Sequence, residues 1–279
     1  MSYCASALSF MFENLSKTVA VTGAMLPIER GESDARRNLM ISIMVAAVSD
    51  IPEVVVVFRD HVFRANRTKK IDSESLNAFV SPNFPPLGKV GTELIVQRSI
   101  VLPMPPPPPH SSSSSSKKNL IVHTKMDRNI VAIRLIPGFR DDSIQLLSQL
   151  PDLKGLILEL YGAGNAPKNK SLIESVKSAI ERGVIVVIVS QCHRGVVDLR
   201  AYSSGRQMLE VGAISAGDMT FEACAAKLAF LFGQNLPLED VKAAMRTSLR
   251  GEISHAIKSE ARFMECIVVK DVQHLVSSL

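Results

Sequence analysis

Four short stretches of this sequence gather residue types that could do chemistry. "ANRTKK" ends in two adjacent amines, Lys69 and Lys70. From pattern alone they read as an exposed charged hairpin, with a catalytic cation as the competing reading. "TGAMLPIERGESDARRN" offers Gly23, where the backbone can approach a ligand closely, then Ala24, with Asp34 and Arg36 at a predicted helix start. "YGAGNAP" and "SQCHRG" place Gly162, Gly164 and Asn165, and Cys192 with His193, on polar turns. The G-x-G of the first is not a dinucleotide fingerprint, because the third glycine is missing and Pro167 follows. Cys192 and His193 are adjacent, and at an extended strand end neighbouring side chains point to opposite sides, so they do not form a Cys/His nucleophile pair.

These stretches sit where an open sheet collects ligands, at the carboxyl ends of its strands. "TVAVTG" and "EVVVVF" read as strands, the second continuous in its apolar residues as expected of a strand covered on both faces. Between them, Ser33 or Asp34 can cap a helix with Met40, Ile43, Met44 and Val48 at helical spacing. A helix near residues 3 to 15 precedes, with Ala5, Leu8, Met11, Phe12 and Leu15 at helical spacing. "RDHVFRANRTKKIDSES" reads as a polar hairpin or loop projecting from the sheet. After residue 118 the grammar repeats: strands in "IVAIRLIPGF", "KGLILEL" and "VIVVIVS" alternate with helices in "DSIQLLSQL" and "NKSLIESVKSAIERG". Three more helices follow at about 197–211, 220–232 and 237–249, with Asp218 or Thr220 capping the middle one. Alternation of this kind predicts an α/β protein of two open parallel-sheet domains, an N-terminal one that is incomplete here and larger when whole, and a smaller C-terminal Rossmann-like one.

Between them, "MPPPPPHSSSSSSKK" at 104–118 is a proline run followed by a serine run, a composition that cannot build a packed core. The organisation expected is therefore 1–103 as the first domain, 104–118 as a linker or insertion, 119–252 as the second domain, and 253–279 as a tail. The whole chain is 279 residues, 46% hydrophobic and 21% charged, in the range of a globular protein. No apolar run is long enough to span a bilayer and no secretory leader pattern opens the chain, so no membrane partner and a cytoplasmic location are expected. The net charge of +5 is spread along a chain with no Trp and three scattered Tyr, which reads as a solvated surface and no nucleic-acid partner. The four cysteines lie far apart, without metal-site spacing, and read as reduced thiols.

Taken in order, "TVAVTGAMLPIERGESDARRNL", "FRANRTKKIDSESLNAFVSPNFPPLG", "YGAGNAP", "SQCHRG" and "YSSGRQMLEVGAISAGDMTFEACAAKLAFLFGQ" resemble the cytoplasmic, type I branch of the L-asparaginases. The resemblance runs from residue 1 to about 252, interrupted by the Pro/Ser stretch. It implies hydrolysis of L-asparagine to L-aspartate and ammonia by a threonine nucleophile, with no metal or organic cofactor, in a protein that assembles as a dimer or tetramer. It also implies that Lys70, not Lys69, takes the family's catalytic lysine position. There a cation beside a threonine hydroxyl stabilises the alkoxide and passes protons on. Ala24 matches a position whose backbone carbonyl lies by the substrate amide. Gly162, Asn165 and Cys192 match a regulatory asparagine site, although Glu159 stands where bacterial members have an arginine.

Members of the family carry two threonine motifs, Gly-Gly-Thr-Ile and His-Gly-Thr-Asp-Thr-Met followed by a helix. "MSYCASALSFMFENL" resembles that final methionine and helix, so the chain is expected to begin just past a catalytic motif and to be inactive by itself. The alternative is a non-catalytic short homologue that binds an amino acid or a full-length subunit. Some animal relatives with ankyrin repeats are linked to lysophospholipid cleavage, but no repeat period is visible here and these residues give lipid chemistry no support.

Overall fold

The structure, a computed structural model, describes residues 1–106, 119–140, 142–167, 169–254 and 266–269. Most of the Pro/Ser stretch and most of the tail, Cys266's side chain included, therefore lie outside the described residues. Two compact units form, residues 1–123 with 257–279, and residues 124–256. Among the described residues no helix is long and apolar enough to cross a membrane.

The first unit runs α1 (Ser2–Met11), β1 (Phe12–Glu13), β2 (Val19–Val21), α2 (Ala35–Val48), β3 (Val54–Phe58) and β4 (His61–Arg64). A 3-10 turn at Ala65–Arg67 leads to β5 (Lys69–Lys70), β6 (Phe79–Val80), β7 (Gly88–Val90), β8 (Leu94–Gln97) and β9 (Ile121–Val122). The main sheet is ordered β8-β7-β4-β3-β2. All five residues of β3 are buried, as its unbroken apolar run predicts. Only β2 and β3 pair in parallel, whereas β3-β4, β4-β7 and β7-β8 are antiparallel. The α/β reading holds for this unit, but its sheet is mixed, because Arg59 and Asp60 turn the chain straight back and no helix intervenes to carry it over.

That reversal also corrects the polar hairpin expected to project from the sheet. Arg59 adopts a left-handed φ of 54° in the two-residue turn, and β4 then lies inside the sheet. Arg64, Asn66, Arg67 and Thr68 are all buried. Their polar character is absorbed internally. Arg64 grips the Glu53 carboxylate with Nη2 to Oε1 at 3.0 Å, donates to the Ile100 carbonyl at 2.7 Å, and stacks 4.5 Å over Phe84. Glu53 in turn accepts from the Leu102 amide at 2.7 Å. A buried ion pair is tolerable only when its remaining hydrogen-bonding capacity is met, as here.

α1 is shorter than its apolar spacing predicts. It stops at Met11, and Phe12–Glu13 pairs instead with Ile121–Val122 as β1-β9, after which Asn14 takes a φ of 58°. α2 starts where expected but turns differently. Its inward face is Asn38, Ile41, Ser42 and Val45, while Met40 and Ile43 point outward. Asn38 has fixed partners outside the helix on the inner side, described below, and Ile41 and Val45 are buried on the same side.

In the second unit, β10 (Ile130–Arg134), α3 (Asp142–Ser148), β11 (Gly155–Leu160), α4 (Lys170–Glu181), β12 (Ile185–Ser190), α5 (Ser203–Glu210), β13 (Ile214–Ser215), α6 (Phe221–Gly233) and α7 (Leu238–Arg246) follow in turn. The sheet β10-β11-β12-β13 is wholly parallel, as the alternation predicts. Asn169 caps α4 by accepting from the Ser171 amide, and Gly183, at φ 88°, ends the turn after it. Thr220 caps α6 through the Ala223 amide at 3.1 Å, while Asp218 accepts from the Ser254 amide. Two details differ from the sequence reading. The helix expected at 197–211 begins only at Ser203, because Val197 and Leu199 are drawn into the core as loop. A fourth strand, β13, is too short to show any periodicity. β14 (Cys266–Val269) belongs to the first unit, where it pairs antiparallel with β8 and makes the main sheet six-stranded.

Candidate functional site

In the first unit the candidate site lies at the carboxyl ends of β2 and β3. Thr22, just past β2, donates its hydroxyl to the Val57 carbonyl at 2.7 Å. The loop beyond is organised by Asp34, which stands at the N-cap position of α2 without capping it. Its carboxylate instead reaches back to accept from the amides of Met25 at 3.0 Å and Leu26 at 3.1 Å, and from Asn38 Nδ2 at 2.9 Å. Ser33 does the capping, accepting from the Ala35 amide. Asn38 Nδ2 also donates to the Gly23 carbonyl at 2.9 Å, and its Oδ1 accepts from the Arg59 amide at 3.1 Å. One buried amide thus ties this loop to the β3-β4 turn. Ala24 is held between the fixed carbonyl of Gly23 and the fixed amide of Met25, and is itself exposed.

Lys70 arrives by a different route. β5 pairs with β6, placing Lys70 opposite Phe79. Lys70 Nζ lies 5.9 Å from the Phe79 ring centroid, and that ring packs 4.7 Å from the ring of Phe58, the last residue of β3. Phe58 and Phe79 belong to one hydrophobic cluster against which Met1 and Met25 also pack. Met1 Sδ lies 3.8 Å from the point where a side chain on Gly23 would begin. The Ala24 loop, the start of α1 and the Lys70 hairpin therefore share one apolar base. Lys70 is exposed above it and Lys69 is half-buried. In the turn beyond, Asp72 accepts from the amides of Ser75 and Glu74, which hold its carboxyl below the ordinary range.

The second unit brings Gly162 and Cys192 together through a residue the sequence reading did not single out. Ser190, the last residue of β12, donates to the Gly162 carbonyl at 2.6 Å and accepts from the Cys192 amide at 2.9 Å. Asn165 closes the turn against Tyr161, and its Oδ1 accepts from Ser204 at 2.7 Å. Gly162 and Gly164 have φ of 50° and 107°, which is why the turn is written with glycines. Gln191 spans three strand ends, its amide donating to the carbonyls of Leu135 at 2.6 Å and Glu159 at 2.9 Å. Glu159 is not isolated: Arg134 faces it in the β10-β11 register with Nη1 3.8 Å from its Oε2. Asn38, Ser190 and Gln191 were the residues missed. Asn38 had a signal, a polar side chain four residues after Asp34 in an apolar helix.

Comparison with known proteins gives a consistent result across the chain. The family model for the asparaginase N-terminal domain matches residues 1–102, and that for the glutaminase/asparaginase C-terminal domain matches residues 129–245. L-asparaginase 1 of Escherichia coli K12 is 39% identical over 254 residues, covering 91% of this chain and 72% of the bacterial protein. The 60 kDa lysophospholipase of Mus musculus is 39% identical over 255 residues, but the chain spans only 43% of its length. Among solved structures, that of L-asparaginase I from Vibrio cholerae superposes with a TM-score of 0.81 at 39% identity, covering 91% of this chain and 73% of that one.

Proposed function

The chain belongs to the asparaginase family, and from that premise we propose that it forms the lysine-bearing part of an amidohydrolase that converts L-asparagine and water to L-aspartate and ammonia. The observation that carries the reading is that Met25, next to Ala24, and Met1 both pack on the Phe58–Phe79 cluster, and that Lys70 lies beside the Phe79 ring of the same cluster. A hydroxyl beside Lys70 would attack the side-chain amide carbon. The Lys70 ammonium would stabilise the alkoxide and the hydroxyl's proton would pass to the leaving ammonia, giving an ester; water would then attack that ester, releasing L-aspartate and restoring the hydroxyl, with amide donors holding the tetrahedral oxyanion in both steps. The Ala24 carbonyl would accept from the substrate amide and orient it.

Neither Gly-Gly-Thr-Ile nor His-Gly-Thr-Asp occurs in the 279 residues. In this reading the nucleophile is supplied by threonines outside them, and the 279 residues alone do not turn over. Gly162, Asn165 and Cys192 are proposed to bind a regulatory amino acid, with Arg134, which faces Glu159 on the neighbouring strand, as a candidate guanidinium. The protein works in the cytoplasm as a homo-oligomer. Among the described residues Cys4, Cys192 and Cys224 are free thiols.

The test is ammonia release from L-asparagine by the 279-residue chain and by a longer chain that includes both threonine motifs. Background release from the first and turnover by the second are expected. Turnover by the 279 residues would place a nucleophile inside them and overturn the mechanism. The second reading, a binding protein without turnover, rests on the ordered Gly162–Ser190–Cys192 tie. It predicts amino-acid binding measurable by calorimetry while neither chain releases ammonia.

A further inference from the structure

β8 is paired along both of its sides. On one side lies β7, with Gly88, Lys89 and Val90 opposite Val96, Ile95 and Leu94. On the other lies β14, whose Cys266, Ile267, Val268 and Val269 stand opposite Gln97, Val96, Ile95 and Leu94, so the tail matches β8 over its whole length. The main chain shows which groups serve which neighbour. The Gln97 amide donates to the Leu87 carbonyl at 2.8 Å, and the Glu93 carbonyl accepts from the Gly91 amide at 3.0 Å, so Glu93, Ile95 and Gln97 address β7. Main-chain groups alternate between the two sides of an antiparallel strand, which leaves the N–H and C=O of Leu94 and Val96 to β14. Their register partners there are Val269 and Ile267.

We propose that the outer side of β8 is a recognition edge for an extended peptide, and that its ligand is the chain's own tail, docked in cis through the main chain of Ile267 and Val269. The segment suits that role. Residues 266–269 read Cys-Ile-Val-Val, without charge or proline and β-branched at three positions, a composition that takes the extended form readily. They lie beyond residue 245, where the match to the C-terminal family model ends. Four residues make a short ladder, which a free peptide would form only weakly. Residues 255–265 join this strand to the second unit of the same chain, and such a connection raises its concentration at the edge to the order of millimolar. β14 is therefore the occupant that the covalent structure supplies, and any other extended segment has to displace it before pairing with β8.

The test is hydrogen exchange along β8, resolved by residue in the full chain, for wild type, Ile267→Pro/Val269→Pro and Val268→Pro. The double substitution removes the two amides that address β8, whereas Val268→Pro removes one that faces away, a place where an edge strand accepts proline. The Leu94 and Val96 amides should exchange at least about tenfold faster in the double variant and stay protected in Val268→Pro, with Ile95 and Gln97 held by β7 in all three chains. Under reducing conditions, a labelled peptide of residues 264–272 should bind the double variant at least about tenfold more tightly than wild type, whose edge is filled. Neither readout requires turnover. Unchanged exchange at Leu94 and Val96, or equal peptide binding to both chains, would overturn the proposal. Loss of protection at Ile95 and Gln97 as well would make β14 a structural part of the sheet and no ligand of it. Wild-type protection that falls on dilution would put the strand in a second copy and overturn docking in cis.

Discussion

Lys70 Nζ stands 5.9 Å from the centroid of the Phe79 ring, its partner across the two-residue ladder β5-β6. The exposed ammonium has this ring beside it and acts electrostatically on the Asp72 carboxylate in the turn beyond. In a chain that hydrolyses asparagine, Lys70→Ala should lower kcat by about 10²–10⁴-fold, the usual contribution of a positioned proton-transfer group, and shift KM far less. Steady-state ammonia release measures both, and an unchanged kcat would remove Lys70 from the mechanism.

Asp34→Ala deletes the acceptor for the Met25 and Leu26 amides and for Asn38 Nδ2. Leaving part-buried donors unmet costs about 1–3 kcal/mol. Urea denaturation should show that loss, and KM should rise because the Ala24 loop is no longer fixed. A variant with native stability and native KM would mean that the loop is held by other contacts.

Much of this arrangement was legible in the sequence. The alternation after residue 118 gave the second unit's parallel sheet, and the run at Val54–Phe58 identified the buried strand. The departures share a cause, namely polar side chains satisfied inside the fold. Arg64 and Arg67 made β4 and the turn after it look like surface, yet one pairs with Glu53 and both stack on Phe84. Asn38 bonds Gly23 and Arg59, so its face of α2 turns inward with Ile41 and Val45 and leaves Met40 and Ile43 outward, while Ser42 satisfies its hydroxyl on the Asn38 carbonyl of its own helix. Hydrophobic periodicity records apolar burial but not these internal bonds. Ser190 was missed for a simpler reason: its role depends on two loops meeting across β11 and β12.

In the second unit, Lys227 and Glu252 form an ion pair at 2.6 Å with both side chains fully buried. Lys227 also donates to the Thr247 carbonyl at 2.5 Å, and Glu252 accepts from the Leu249 and Arg250 amides. Lys227→Met leaves a buried carboxylate without its cation and should cost about 3–5 kcal/mol. Chemical denaturation followed at the second unit's transition would detect it. A smaller loss would mean that water reaches Glu252 in the variant.

Acid should act through the same pair. Burial alone would raise Glu252, but Lys227 and the backbone donors outweigh it and hold the carboxyl below its ordinary value. Its contribution to stability is therefore complete above the ordinary carboxylate range and is lost as pH falls through the lowered folded value. Urea midpoints across that range should decline for wild type and decline less for Lys227→Met/Glu252→Leu. Parallel profiles would assign the acid sensitivity to other carboxylates.

Gly205 opens α5 against the turn of the second site. A methyl group there would lie 2.7 Å from the Leu199 carbonyl oxygen and 3.2 Å from that of Gly164, both backbone atoms with little room to yield. Gly205→Ala should destabilise the second unit by about 1–3 kcal/mol, as overpacking does, and weaken the amino-acid binding proposed for Gly162 and Asn165. Thermal melting and calorimetry read the two effects, and an unaltered melt would show that the turn shifts at no cost.

The grip of Glu53 and Arg64 on Ile100 and Leu102 has a mechanical meaning. The chain leaves the first unit's sheet at these residues, immediately before the proline run. A pull on the stretch beyond is taken up at one buried ion pair rooted at the start of β3 and the end of β4. The exit of the chain is thereby tethered, and a displacement of Ile100 or Leu102 has first to break a hydrogen bond to Arg64 or Glu53.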